Sequence, residues 1–306
     1  MNAVHVVLPG GVDDPATPSG GNVYDRRVCR GLVESGVAVH EVAVPGAWPR
    51  PDTAARADLA GALAAIPDGS VVLLDGLVAC GVPEVVVPHA GRLRLAVLVH
   101  LPLADETGLP PALASALDAA EVQTLRAADA VVTTSPWATR LLVERHGPAA
   151  DRVHTVTPGT DPAPTASGTD AGTRLLCVAS VTPRKGHDLL IEALADVAEL
   201  PWTCECVGPL GDPGYVEELR LLIERHRLGD RVSFDGPRTG ESLSDAYASA
   251  DLLVLPSRAE TYGMVVAEAL ARGVPVLATA VSGVPETLGQ APDGGIPGLL
   301  APPGDA

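Results

Sequence analysis

Aromatic residues make up only 3% of this 306-residue chain, and lysine occurs once, at position 185. The first scarcity excludes a core built on large rings. Hydrophobic residues still reach 46%, so the interior must be assembled from small and branched aliphatics. The second scarcity belongs to a wider shortage of basic charge, with 21 Lys and Arg against 38 Asp and Glu, a net charge of −17. Phosphate backbones are held by clustered Lys and Arg, which excludes nucleic acid as a partner. A peripheral association with anionic membrane is disfavoured, though a local basic patch leaves it open.

Cysteine is also sparse. Cys29, Cys80, Cys177, Cys204 and Cys206 are odd in number and lie in or beside apolar stretches. No spacing among them matches a zinc site, and Cys204 and Cys206, two apart, would share one face of a strand. Small buried thiols of a reducing cytoplasm are expected. No apolar run approaches the ~20 residues of a membrane span. Residues 1–11 read as a strand and a Gly turn, without the charged and long apolar regions of a secretory signal. A cytoplasmic location follows as the expectation.

What is present is alternation. Short β-rich runs are predicted at 4–8, 37–44, 71–74, 95–99, 130–134 and 153–156. Helical patterns fall between them at 22–35, 53–65, 113–127 and 137–145. Strands spaced by such helices indicate βαβ units and a parallel sheet. Residues 158–173, rich in Pro, Gly, Thr, Ala and Asp and without periodicity, read as a linker. The alternation then resumes. Strands are expected at 174–180, 203–207, 231–234, 252–255, 274–278 and 298–300, with helices at 186–199, 215–226, 243–248, 263–272 and 284–288. The expected fold class is α/β, with two Rossmann-like doubly wound domains. The N-terminal domain spans 1–160, a linker 161–173 and the second domain 174–306. In such sheets ligands bind at the carboxyl ends of the strands, so two facing domains would form a cleft.

Four segments carry candidate chemistry. The first runs from Ser257 to Glu268 and leads from an apolar strand into a helix. Gly263 permits close backbone approach, and free N–H groups near Gly263, Met264 and Val265 would bind an anion. Glu260 lies in the turn, and Glu268, a turn further on, could hold a diol. A nucleotide sugar suits this set. An ordinary helix with an acidic first turn suits it as well.

The second segment is Ser180 to Asp188, again between strand and helix. A chain that uses Arg everywhere else places its single Lys185 here, beside Arg184, which suggests a need for a compact ammonium. Two cations could hold a diphosphate, at ~4 kcal/mol per close pair for an effective dielectric near ~20. The helix dipole would add ~0.3–2 kcal/mol. No Asp-x-Asp pair of the kind that holds a divalent ion on a diphosphate occurs. A solvated pair at a helix start is the plainer alternative.

The third segment holds the paired glycines Gly20 and Gly21 before the first helix, where a flexible loop is an equal alternative. Gly-x-Gly-x-x-Gly is absent from both halves, which disfavours a dinucleotide oxidoreductase. The fourth is His100, after the fourth strand, either facing the cleft or a hydrogen-bonded buried histidine.

Together Gly20-Gly21, His100, Arg184-Lys185-Gly186 and the spaced glutamates Glu260 and Glu268 resemble the group 1, family-4-like retaining glycosyltransferases of the GT-B fold. Residues 282–286 resemble that family's small-residue turn. The resemblance implies a metal-independent hexosyltransferase that uses a UDP-, GDP- or ADP-sugar as donor, with no cofactor. The acceptor would be a sugar, a lipid-linked sugar or a small molecule. It further implies that Arg184 and Lys185 hold the diphosphate, Glu260 the donor sugar, Glu268 the ribose and His100 the transferred sugar near the reaction centre. Gly20 and Gly21 would bring N–H groups to phosphate or acceptor. Family members usually continue for several helices after the point where this sequence stops. A C-terminally short second domain, with exposed apolar surface and lowered stability, is therefore expected. Rival readings are a non-catalytic sugar-nucleotide binder or an inactive fragment, and a phosphorylase or nucleotide-sugar hydrolase on the same fold.

Overall fold

The computed structural model describes residues 3–16, 18–169 and 171–304. The chain divides into two compact units, residues 1–14 with 20–157, and residues 15–19 with 158–306.

The first unit alternates strands and helices: β1 (Ala3–Pro9), α1 (Gly20–Glu34), β2 (Ala38–Val44), α2 (Thr53–Ala65), β3 (Val71–Asp75), α3 (Gly76–Ala79), α4 (Pro83–Val86), β4 (Arg94–Val99), α5 (Pro111–Ala127), β5 (Ala130–Thr133), α6 (Pro136–His146) and β6 (Val153–Thr155). Its six strands are all parallel, in the order β2-β1-β3-β4-β5-β6. Local chemistry sets several boundaries. Asp52 caps α2 by accepting from the Ala55 N–H at 2.9 Å. Ser135 caps α6 by accepting from Ala138 at 3.0 Å, and Gly147 ends that helix in the left-handed region.

The second unit contains β7 (Arg174–Val178), α7 (His187–Asp196), β8 (Thr203–Val207), α8 (Pro213–His226), β9 (Val232–Gly236), α9 (Gly240–Ala248), β10 (Leu252–Leu255), α10 (Met264–Leu270), β11 (Val276–Thr279), α11 (Val284–Leu288) and β12 (Gly298–Ala301). Its parallel order is β12-β11-β10-β7-β8-β9. The order of this sheet reverses between β7 and β10, and that of the first between β1 and β3. Such switch points open a crevice at the carboxyl ends of the two strands. Two α/β units with parallel sheets are therefore the architecture, as the alternation predicts.

Both cores are aliphatic. Leu59, Leu63, Leu74, Leu95 and Leu125 anchor the first, and Leu176, Ile191, Leu219 and Leu253 the second. All five cysteines are buried and free. Leu277, Ile296, Leu299 and Leu300, on and beside the edge strand β12, are exposed. No helix among the described residues is long and apolar enough to cross a membrane.

The described residues of the segment expected as a linker lie in no helix or strand, but they are fastened to the second unit. Ala166 N–H donates to Arg272 and Ser167 N–H to Ala248. Thr169 donates to both oxygens of Asp251, at 2.5 and 2.6 Å. Gly168 is left-handed there, and a β-carbon on it would lie 2.6 Å from Asp251 Oδ1. Asp170 of this segment lies outside the described residues.

Candidate active site

In the second unit the switch point is built from two βα loops, 179–186 after β7 and 256–263 after β10. They are knitted together by backbone and side chain. Arg258 N–H donates to the Arg184 carbonyl at 2.8 Å, and Arg184 Nη1 donates to Ala259 at 3.3 Å. Arg258 reaches back with Nη1 to the Pro183 carbonyl at 2.7 Å. It also forks onto Asp188 at 2.8 and 2.6 Å. Tyr215 of α8 donates to Asp188 Oδ1 at 2.5 Å. Burial opposes ionisation of Asp188, but Arg258 and Tyr215 outweigh it and bring the carboxyl down to about 2.

Lys185 and Glu260 meet at the centre of this arrangement. The ammonium donates to Glu260 Oε1, and the two side chains are only 16% and 10% exposed. Ser257 Oγ donates to the same oxygen at 2.9 Å. Burial would raise the Glu260 pKa. The charges of Lys185 and Arg184 and the hydrogen bonds from Lys185 and Ser257 win, and the carboxylate is held below its ordinary value. The Glu260 carbonyl accepts from Gly283 N–H at 2.9 Å, so the small-residue turn before α11 holds this loop from the other side.

The structure moves two expected helix starts. Gly186 is not the first residue of α7 but its left-handed cap, φ 69°. Gly263 likewise caps α10, φ 82°, and that helix is seven residues long rather than the ten expected. So short a helix has few aligned peptides, so the fixed charges of Arg184 and Lys185 are the larger source of positive potential. Met264 and Val265 are its first two residues, both half-buried. Glu268, also half-buried, accepts from Tyr247 Oη at 2.8 Å.

In the first unit, Gly20 and Gly21 are not in the loop before α1 but in its first turn. Gly21 faces His100: a β-carbon there would lie 3.2 Å from Cδ2 and 3.5 Å from Nε2 of the ring. Tyr24 meets the same ring edge-on, centroids 5.6 Å apart, and donates to the Val156 carbonyl at 2.8 Å. His100 Nε2 lies 2.9 Å from Asp25 Oδ1. Asp75, the last residue of β3, completes the group by accepting from Leu77 N–H at 2.7 Å. Both carboxylates are buried, at 2% and 4% exposure.

Asp25, Asp75, Ser257, Arg258 and Asp188 were not singled out from the sequence. The signals available were an acid closing the apolar run 71–74 and an acid directly after Gly20-Gly21-Asn22-Val23-Tyr24. Away from these loops, Cys177, His187 and Cys206 bring three donor atoms within 4.8 Å of one another inside the second core. The sequence spacing gives no sign of that group, because Cys177 and Cys206 become neighbours only through the register of β7 on β8.

Comparison with known proteins agrees with this architecture. Residues 168–306 match the family described as glycosyl transferases group 1. A D-inositol 3-phosphate glycosyltransferase of Xylanimonas cellulosilytica is 34% identical over 181 residues, which is 54% of this chain and 43% of that protein. The chain thus spans less than half the length of that relative. Among solved structures, sucrose-phosphate synthase from Thermosynechococcus elongatus superposes with a TM-score of 0.78 at 21% identity, covering 100% of this chain and 87% of that one. Anabaena HepE, solved in complex with UDP and glucose, superposes with a TM-score of 0.73 at 19% identity, covering 100% and 86%. At these identities the structural likeness speaks for the fold, which is GT-B.

Proposed function

We propose that the chain is a group 1 glycosyl transferase that moves a hexosyl group from a nucleoside-diphosphate sugar to an acceptor hydroxyl, with retention of configuration and no metal ion. The observation that carries this reading is the Lys185–Glu260 pair at the switch point of the second unit. It sets a compact cation and an ionised carboxylate side by side, where a doubly wound sheet receives ligands.

In this reading Arg184 and Lys185 take the donor diphosphate. Each close charge contact is of order ~4 kcal/mol at an effective dielectric near ~20, enough to stabilise the leaving group as negative charge builds on it. Glu260 has two tasks: it orients the Lys185 ammonium and accepts from donor-sugar hydroxyls. Glu268 accepts from the ribose diol. Gly263, Met264 and Val265 bring backbone N–H groups close to the phosphates. Gly20 and Gly21 let the acceptor side approach α1, and His100 donates to a hydroxyl of the transferred sugar.

The bond from the anomeric carbon to the phosphate oxygen breaks. The acceptor oxygen bonds to that carbon on the same face, and its proton passes to the departing phosphate. Catalysis is then a matter of position and electrostatics.

Incubating the chain with UDP-glucose, GDP-mannose and ADP-glucose in EDTA tests this. D-inositol 3-phosphate is the first acceptor to try, since a relative is named for it. Proton NMR of the sugar product should show the anomer of the donor. An inverted product, or turnover that requires a divalent ion, would contradict the proposal.

A further inference from the structure

His100, Asp25 and Asp75 form a group whose charges do not balance if every member takes its ordinary state. One carboxylate oxygen from each acid and a ring nitrogen of His100 all lie within 4.8 Å of one another. Both acids are buried, and His100 is half-buried. A protonated imidazole neutralises one carboxylate. A second ionised carboxylate at that range, away from water, would face a like charge with no compensating cation.

The hydrogen bonds point to the same imbalance. Asp25 Oδ1 faces His100 Nε2, but the buried Asp25 Oδ2 has no protein donor. Asp75 takes one N–H, from Leu77. Asp75 and Asp25 each bring a carboxylate oxygen within 4.8 Å of the other. Two buried carboxylates that close share a site best when one proton lies between them.

We propose that Asp25 and Asp75 share one proton and act as a positioning pair that fixes His100 as an imidazolium, with Nε2 turned to Asp25. The proton on Asp75 then supplies the donor that Asp25 Oδ2 lacks. The group as a whole is neutral, which is the state a buried cluster tolerates best. The inference rests on the reading that His100 touches the transferred sugar. It adds that the ring nitrogen away from Asp25 presents a proton to a sugar oxygen, not a lone pair. Gly21 and Tyr24 bracket the ring and limit its rotation. Tyr24 and Asp25 from α1 and Asp75 from the end of β3 are titratable groups that face the imidazole.

The directions of titration agree. Burial alone would lower the His100 pKa, but the hydrogen bond to Asp25 and the charge of Asp25 are the largest causes that raise it overall. Burial is the main cause that pushes Asp75 up, and the neighbouring Asp25 adds to it while His100 opposes.

Histidine-ring NMR of the ligand-free chain between pH 5 and 9 tests the proposal, with His100 assigned through His100→Gln. In the unsubstituted chain His100 should titrate above the ordinary value of 6.5. Asp25→Asn should lower that midpoint by about one unit or more. Asp75→Asn should move it by no more than a few tenths, since a neutral acid is replaced by a neutral amide. A midpoint at or below the ordinary value in the unsubstituted chain overturns the proposal, whether or not the variants fold. So does an Asp75→Asn drop as large as that of Asp25→Asn, because Asp75 would then be carrying charge. Selective broadening of the His100 signal by stoichiometric Mn2+ would put a cation where the proton is proposed. Titration of UDP, GDP and ADP on the same samples reports on the donor site separately, so the two readings can fail independently.

Discussion

A β-carbon on Gly186 would lie 2.1 Å from the carbonyl oxygen of Pro256. The loop that carries Lys185 is thus pressed against the loop that carries Glu260, backbone on backbone. Gly186 also sits at φ 69°, where a side chain is strained even with room. Gly186→Ala should cost the second unit ~2 kcal/mol or more and separate the two loops. Denaturant unfolding followed by Trp202 fluorescence measures it. A loss below ~0.5 kcal/mol would mean that the loops are not tightly apposed.

The Lys185–Glu260 pair predicts an asymmetry between single and double substitutions. Lys185→Ala leaves a buried carboxylate without its cation, at a cost of ~3 kcal/mol. Glu260→Gln added to it should recover at least half of that loss. The sign with pH is also set. The folded carboxyl is held below its ordinary pKa, so its contribution is present above about 4.5 and is lost as pH falls through the lowered value. Equal stability of the single and double variants at pH 7 would show that the pair is not coupled.

Glu121 of α5 is fully buried, and burial pushes its carboxyl up to about 8 from an ordinary 4.5. The raised value reverses the usual pH dependence. The protonated acid contributes stability below about 4.5, and that contribution is lost as pH rises through about 8. Glu121→Gln should therefore stabilise the first unit at pH 8 relative to pH 5, by an amount on the order of a few kcal/mol. Thermal melts of both proteins at the two pH values decide it. A wild type that gains on the variant as pH rises would refute the assignment.

Gly21 touches the His100 ring, so Gly21→Ala should push the imidazole by a few tenths of an ångström. Misplacement on that scale costs roughly tenfold in turnover without touching the diphosphate contacts. Donor cleavage should fall while nucleotide affinity stays within about twofold. Equal loss of both would show that the glycine serves the fold alone.

The regular elements were largely legible. The bounds of α2, β8, β10 and α11 fall where the sequence puts them, because capping residues, prolines and turn glycines flank clean apolar patterns. The stretch 76–86 was not legible. α3 and α4 span four residues each, too short to show a helical period. α7 and α10 each begin one residue later than expected because a left-handed glycine, whose conformation depends on a neighbouring loop, caps the start; they also end earlier, at Asp196 and Leu270. Of the candidate site, Lys185 and Glu260 could be named singly, but their contact follows from β7 lying beside β10, 75 residues apart in the chain. Asp25 and Asp75 stayed hidden for the same reason, since only the order β1-β3-β4 brings α1, the end of β3 and the end of β4 together.

The central claim is that Lys185 binds a donor diphosphate without a metal ion. Calorimetric titration of UDP, GDP and ADP in EDTA, into the unsubstituted chain, Glu260→Gln and the Lys185→Ala/Glu260→Gln double variant, tests it most directly. The comparison avoids a buried unpaired carboxylate. Saturable binding of one nucleotide that Glu260→Gln keeps within about tenfold, and that the double variant weakens by at least about tenfold more, is the predicted result. Binding that the double variant leaves at the Glu260→Gln level, or no binding of any nucleotide, would contradict it.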